Sequence, residues 1–189
     1  IAGLAGCSGS TSFSADYAVT DTGDTGYEQT GQRQPTMTRT FAGQEVNVTN
    51  TVTEYRKDME LTFFGGSSDV GVFSAFTTPQ VNVAGQSFNP ISDMSNKELA
   101  ERFQNRFDSM DGLGQESSEE VEILGSARTV TKFSATVTVE GNEVPIFLLL
   151  AKFEHESDIV VPMGIFPQER QDEEGPNIRR LMANMSHPA

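Results

Sequence analysis

The run Ile146-Phe147-Leu148-Leu149-Leu150-Ala151 constrains the fold of this chain more than any other feature, because it is apolar at six consecutive positions in a strand-like setting. Side chains alternate between the two faces of a strand, so a run without polar alternation belongs to a central strand covered on both sides. It follows Ala127 to Val139 (ARTVTKFSATVTV) across Glu140-Gly141-Asn142-Glu143, a turn that joins two long strands. The chain must therefore organise itself around a sheet.

Other segments supply the rest of that sheet. Phe13, Ala15, Tyr17 and Val19 alternate with Ser14, Asp16 and Ala18 as a half-buried strand does, and Thr20 to Pro35, rich in Thr, Gly, Asp and Gln, reads as a loop. Thr36 to Phe41, then Ala42-Gly43-Gln44, then Glu45 to Lys57 form a long hairpin with Val46, Val48 and Val52 on one face. A second hairpin runs from Met59, Leu61 and Phe63 through Gly65-Gly66-Ser67-Ser68 to Val70, Val72, Phe73 and Phe76. Pro79 and Asn89-Pro90 bracket Val81 and Val83, which makes that stretch an edge strand or extended connection.

Helical spacing appears twice. Ser95-Asn96-Lys97-Glu98 has the form of a capping box, with Leu99, Phe103 and Phe107 following at intervals of four before Gly112 and Gly114 stop the helix. Beyond an acidic loop (Glu116, Glu119, Glu120), Val121 and Ile123 start a strand, and Ile159 to Phe166 add another. After Gly175-Pro176-Asn177, the residues Ile178, Leu181, Met182 and Met185 trace one face of a closing amphipathic helix. The sum is an α+β fold, an antiparallel sheet of about seven to nine strands with one central and one C-terminal helix.

The first residues carry a different signal. Ile1-Ala2-Gly3-Leu4-Ala5-Gly6 leads into Cys7, the only cysteine, and Leu4-Ala5-Gly6-Cys7 matches the lipobox of prokaryotic lipoproteins, in which the cysteine sulfur is alkylated by lipid. A complete secretory signal has a basic region and an apolar core upstream, so residues 1–7 are read as a signal-peptide remnant and lipobox of a chain truncated at its start. Residues 8–12 follow as a flexible tether, and 13–189 as one domain. One cysteine allows no internal disulfide, which leaves packing to hold the core. The competing reading of Cys7 is a small buried hydrophobe.

Charge narrows the partners. The chain holds 27 acidic and 13 basic residues, for a net charge of -14, with Lys57, Lys97, Lys132 and Lys152 its only lysines. Nucleic acid is excluded as an expected partner, since binding its backbone requires Lys and Arg to replace counterions. An acidic, lysine-poor surface suits molar salt, where the Debye length falls to about 3 Å and self-repulsion is screened. No stretch approaches the ~20 apolar residues of a membrane-spanning helix.

The densest chemical cluster is Glu154-His155-Glu156-Ser157-Asp158, which holds one of the two histidines. Its position between two apolar strands reads first as a solvated hairpin connection, with Glu154, His155, Glu156 and Asp158 as the weak metal or general-base candidates. The other histidine, His187, is expected to be exposed near the end of the chain. Asp21-Thr22-Gly23 and Asp24-Thr25-Gly26 repeat a tripeptide of aspartic proteases, but those enzymes bring two carboxylates together from separate loops, so a polar turn is the reading here. Asp21, Asp24 and Glu28 lack the ordered spacing of a calcium loop. Asn47-Val48-Thr49 and Asn184-Met185-Ser186 match the glycosylation acceptor pattern, with Asn47 on the opposite face from Val46 and Val48. No Walker loop, G-x-S-x-G, G-x-G-x-x-G or paired Cys-x-x-Cys occurs, so no catalytic residue and no cofactor is assigned.

Leu4-Ala5-Gly6-Cys7, Gly26-Tyr27-Glu28, Val48-Thr49-Asn50, Glu54-Tyr55, Thr78-Pro79-Gln80-Val81, Ala84-Gly85-Gln86 and Phe88-Asn89-Pro90-Ile91 together resemble a family of haloarchaeal lipoproteins known only as a domain of unknown function. The resemblance covers nearly the whole chain and implies a lipid anchor and a salt-loving origin, with no activity or functional residue carried across. The order of strands and helices also looks like the compact fold of photosystem accessory proteins of the PsbP type, an analogy of fold alone. The expected function is a lipid-anchored surface protein on the extracytoplasmic face of the membrane, binding an envelope protein or small ligand or supporting an envelope complex. The alternative is an extracytoplasmic enzyme or metal-binding protein built on the Glu154–Asp158 cluster. A purely structural envelope component is a third class.

Overall fold

The computed structural model describes residues 10–41, 43–60, 67–83, 85–106 and 108–189. In chain order the strands are β1 (Thr11–Ser14), β2 (Val19–Thr20), β3 (Glu28–Arg33), β4 (Thr36–Phe41), β5 (Gln44–Thr49), β6 (Thr51–Glu60), β7 (Ser67–Pro79), β8 (Asn82–Val83) and β9 (Gln86–Ser87). They continue, after helix α1 (Asn96–Gln104), as β10 (Met110–Ile123), β11 (Ser126–Val139), β12 (Asn142–Leu150), β13 (Phe153–His155) and β14 (Asp158–Pro167). A short 3-10 turn (Gln168–Arg170) leads into helix α2 (Gln171–Ala183), and β15 (Met185–Ser186) follows.

The main sheet has eight strands in the order β10-β11-β12-β14-β7-β6-β3, with β13 beside β14, and its pairings are antiparallel. The fold is α+β, as the strand and helix patterns predict. The apolar run of β12 explains the layering: Leu149 points into a core shared with Ile178, Leu181 and Met182 of α2, whereas Leu148 and Leu150 join Ala100 of α1 in a core on the other face. All three leucines are buried.

Helix α1 starts where its capping box places it. Ser95 Oγ accepts from Glu98 N at 3.2 Å and Glu98 Oε2 accepts from Ser95 N at 2.7 Å, satisfying two backbone donors that the helix cannot. It ends at Gln104 with Asn105 as cap, well before Gly112, and Phe107 lies outside the described residues. The segment from Met110 through Glu116, Glu119 and Glu120 is strand, not loop. An acidic strand at a sheet edge keeps one face in water and repels other edges, so its charges do not prevent pairing with β11.

Several expected boundaries shift. The loop expected from Thr20 to Pro35 contains β3, which pairs with β6 and forms the opposite edge. The strand expected from Phe13 to Val19 is two short ones, β1 beside β5 and β2 beside β15. The long strand from Glu45 to Lys57 breaks at Asn50, so β5 belongs to a small three-stranded sheet with β1 and β4, and Val52 of β6 belongs to the main sheet. Thr11 and Ser12, placed by sequence in a flexible tether, pair with Val46 and Asn47. Leu61, Phe63, Gly65 and Gly66 lie outside the described residues.

Candidate functional site

The two histidines meet. His155 ends β13, Asp158 begins β14 at the close of the same tight hairpin, and His187 follows β15. Asp158 Oδ2 accepts from the backbone N of Asp16 at 2.8 Å and lies 3.0 Å from His187 Nε2. His187 Nδ1 in turn lies 2.9 Å from His155 Nδ1, and the two rings cross edge to face with centroids 5.2 Å apart. The side chains of His187 and Asp158 are 0% and 1% exposed, whereas His155 is half-buried.

His187 is therefore interior, contrary to its expected exposure. The physical reason is the path of the terminal segments. Met185 and Ser186 pair with Thr20 and Val19, Thr20 Oγ1 donates to Leu181 O at 2.5 Å, and Ala189 N donates to Tyr17 O at 2.9 Å. The N-terminal segment is itself fixed, since Ala15 N donates to Thr49 O at 2.9 Å and the hydroxyls of Thr51 and Thr77 donate to Asp16 O. His187 thus rides on a segment stitched across the end of the main sheet. No spacing rule links residue 187 to residue 158, so local pattern gave no warning of the contact.

The proton arrangement follows from the geometry. With Asp158 as a carboxylate, which only accepts, His187 Nε2 is the donor of this pair. In neutral His187 this makes Nδ1 an acceptor, and His155 Nδ1 must then donate to it. His155 Nε2 is left as an acceptor, with no hydrogen-bond partner among the described residues. Asp158 Oδ1 is buried and lacks a hydrogen-bond partner among the described residues, so the carboxylate retains unused accepting capacity.

The other members of the cluster point elsewhere. Glu154 and Glu156 are exposed, and Glu156 has a left-handed backbone (φ 54°) at the hairpin turn. Arg128 covers the hairpin, stacked 4.5 Å from the Phe153 ring centroid, with Nη2 3.5 Å from Glu154 O. Among the described residues no three His, Cys, Asp or Glu side chains are grouped to hold a metal ion. Asp21 Oδ1 accepts from Gly23 N at 3.0 Å and Asp24 is paired with Arg180, so the Asp-Thr-Gly tandem is a turn fastened to α2.

Asn47 Oδ1 accepts from Thr38 Oγ1 at 2.7 Å on the small sheet. Asn184 caps α2, exposed, its Nδ2 3.3 Å from Asp21 O. Cys7 lies outside the described residues.

A second buried polar group escaped sequence reading. Lys57 of β6 lies 2.6 Å from Glu174 Oε1 and 2.9 Å from Glu173 Oε1 in the first turn of α2. Burial works against the charge of Lys57, but the hydrogen bonds to Glu174 and Glu173 outweigh it and hold the ammonium above its ordinary value. Tyr27 is directed toward Glu174 without reaching hydrogen-bond geometry, and burial, then the charge of Glu174, raise its phenol far above the usual tyrosine value. These groups favour keeping their protons, which suits a clamp between helix and sheet rather than a base or nucleophile.

A family model described as a domain of unknown function (DUF6517) matches residues 15–186. The chain belongs to that family. The matched span of this DUF6517 member includes His155 and Asp158 and ends one residue before His187. No curated protein matches it. Among solved structures, it is similar to cyanobacterial PsbP (CyanoP) from Synechocystis sp. PCC 6803 at 10% identity and a TM-score of 0.41, over 98% of this chain and 96% of that one. It is also similar to PA94 of Pseudomonas aeruginosa, a protein of unknown function and putative regulator, at 10% identity and a TM-score of 0.38, over 78% and 94%. Neither likeness carries an argument about function.

Proposed function

We propose that the protein is a haloarchaeal lipoprotein that works on the extracytoplasmic face of the cell membrane, held by lipid on Cys7, as a non-catalytic binding module or envelope-complex accessory. The observation that carries this reading is Leu4-Ala5-Gly6-Cys7, set directly ahead of the folded domain in a chain with a net charge of -14. The first strand begins at Thr11, four residues after Cys7, so even a fully extended connection spans only about 14 Å. A domain so anchored works at the membrane surface, within reach of neighbouring envelope proteins. Crosslinking in native membranes at high salt, followed by recovery of the protein, tests the reading. One reproducible envelope partner is the expected result. Crosslinks to copies of itself alone would favour a structural component instead.

A second reading, an extracytoplasmic enzyme, is favoured by one arrangement: the unoccupied Nε2 of half-buried His155, backed by His187 and Asp158 as a general base is backed in hydrolases. Turnover of an ester or phosphoester that disappears in His155→Gln would support it. Absence of turnover across a broad panel would leave the binding role.

A further inference from the structure

We propose that the Asp158–His187–His155 chain is a one-proton clasp: it absorbs a single proton with every hydrogen bond intact, and a second proton forces the C-terminal segment off the sheet. The argument is a count of hydrogens. With both imidazoles neutral, one proton lies between the two Nδ1 atoms, one lies between His187 Nε2 and Asp158, and His155 Nε2 is bare. The first added proton goes to His155 Nε2, at the half-buried end, and disturbs no contact. It also brings a cation toward the Asp158 carboxylate through His187.

A second added proton that goes to a ring has only His187 Nδ1 to occupy, and there it would set N–H against N–H across 2.9 Å; placed on Asp158 Oδ1 instead, it would discharge the one buried carboxylate that balances the cation. Two like charges would then share one contact, with a single buried carboxylate to balance them. Imidazoles released to water change charge between about pH 5 and about pH 8, so the opened segment can take up both protons in an ordinary range.

The other charged groups on the elements around the chain do not remove the conflict. Asp16 contributes its backbone N–H while its side chain is exposed, Glu154 and Glu156 are exposed on the hairpin, and Arg128 is engaged with Phe153 and the backbone of Glu154. What opens is defined by the contacts His187 shares: β15 with β2, Ala189 with Tyr17, and Asp158 with Asp16. In the same stretch Met185 pairs with Thr20 and shares a core with Ala18. Acid would thereby loosen the end of the molecule that carries the N-terminal connection.

Proton counting fixes the expected size of the effect. The opened segment frees both histidines to bind two added protons, whereas the closed clasp holds one, so opening becomes more favourable as pH falls below about 6.5 and steepens toward a limit of about tenfold per pH unit near pH 5, where both freed imidazoles are protonated. The experiment is hydrogen exchange by NMR on the full chain in high salt, reading the protection of the Asp16 and Ala189 amides. In the wild type their opening should rise toward that limit while the Leu149 amide stays protected. His155→Gln removes the proton conflict, because a glutamine can donate to or accept from His187, and its opening should not rise in the same range. A purely structural contact predicts the reverse, a variant looser than the wild type in acid. An equal rise in the variant, or wild-type protection that is constant across the range, overturns the proposal. Should the variant fail to fold, the ring-nitrogen signals of wild-type His155 and His187 decide: both must move together in one single-proton step, and two doubly protonated rings with a protected Asp16 amide overturn the clasp.

Discussion

Lys57 Nζ lies 2.6 Å from Glu174 Oε1, joining the middle of β6 to the first turn of α2 across 117 residues of chain. The two side chains are 16% and 1% exposed, and Lys57 is the cation that faces the enclosed Glu174 carboxylate. Removing one partner of a buried pair strands the other, at a cost of about 3–5 kcal/mol, whereas replacing both with apolar groups is often neutral. Lys57→Met alone should therefore lower stability by about that amount. Lys57→Met with Glu174→Met should recover most of it, as read by urea denaturation of all three variants at fixed high salt. Single and double variants of equal stability would deny the pairing.

The same cluster, together with the buried Tyr55, whose hydroxyl accepts from Thr20 N, sets a pH dependence. Lys57, Tyr27 and Tyr55 are all held above their ordinary values, Tyr27 and Tyr55 by burial first and Lys57 by its hydrogen bonds to Glu174 and Glu173 despite burial. A group raised in the folded state stabilises below its unfolded value and loses that contribution as pH climbs beyond it. The melting temperature should hold steady up to about pH 10 and fall above it. Glu173 is lowered, chiefly by its hydrogen bond to Lys57, so its contribution is present at neutral pH and disappears in acid. It is largely exposed, and the acid effect should be small. Thermal melts from neutral pH to about pH 11.5 measure the alkaline limb, and a flat profile across about pH 10 would contradict it.

How α2 seats on the sheet gives a packing test. A Cβ on Gly164 of β14 would press on the buried Ile178 side chain, 2.7 Å from its Cδ1 and closer still to Cγ2. Overpacking a filled core costs about 1–3 kcal/mol, and that is the loss expected for Gly164→Ala. Ile178→Val in the same chain removes one of the pressing carbons and should restore part of the stability. Calorimetric melts would show it. If Gly164→Ala melts like the wild type, α2 is not held as closely as this contact requires.

Legibility in the sequence tracked the range of the interactions. The capping box at Ser95 and the turn at Glu140-Gly141 (φ 50° and 81°) are local, and each stands where its residues place it. The two-sided burial of Leu148, Leu149 and Leu150 followed from the absence of alternation alone. The sequence pattern starts α2 too late, because Gly175-Pro176 looks like a break, and carries it too far, since Met185 lies in β15. Pro176 does lack a backbone donor, yet Asp172, Glu173 and Glu174 suit the positive end of a helix, and Lys57 holds that turn to the sheet. The histidine contact was illegible for the same reason that the Lys57–Glu174 pair was. Both depend on where distant segments cross, which composition and periodicity do not encode.

The charge count predicts a salt response. With 27 acidic and 13 basic residues, the folded chain repels itself in dilute buffer. Molar salt screens that repulsion, and excluded salts also strengthen apolar burial. The unfolding midpoint should climb by several degrees from dilute buffer to about 3 M salt, where screening is essentially complete. A midpoint unchanged across that range would count heavily against a salt-loving origin.

Cys7→Ser in the full-length precursor separates location from folding. The first strand starts at Thr11 and the interior begins at Ala15, so the thiol is expected to add nothing to the core. Acyl chains, by contrast, contribute about 0.8 kcal/mol for every methylene buried in the bilayer, and a single chain holds only marginally, so a second chain or another membrane contact belongs to a stable anchor. The variant should melt with the wild type, within about 0.5 kcal/mol as for a surface substitution, yet leave the membrane fraction. Cell fractionation with intact mass measurement of the wild-type protein provides the check. A wild-type mass showing residues upstream of Cys7 and an unmodified thiol would overturn the anchor, and a variant melting several degrees lower would place Cys7 in the packing instead.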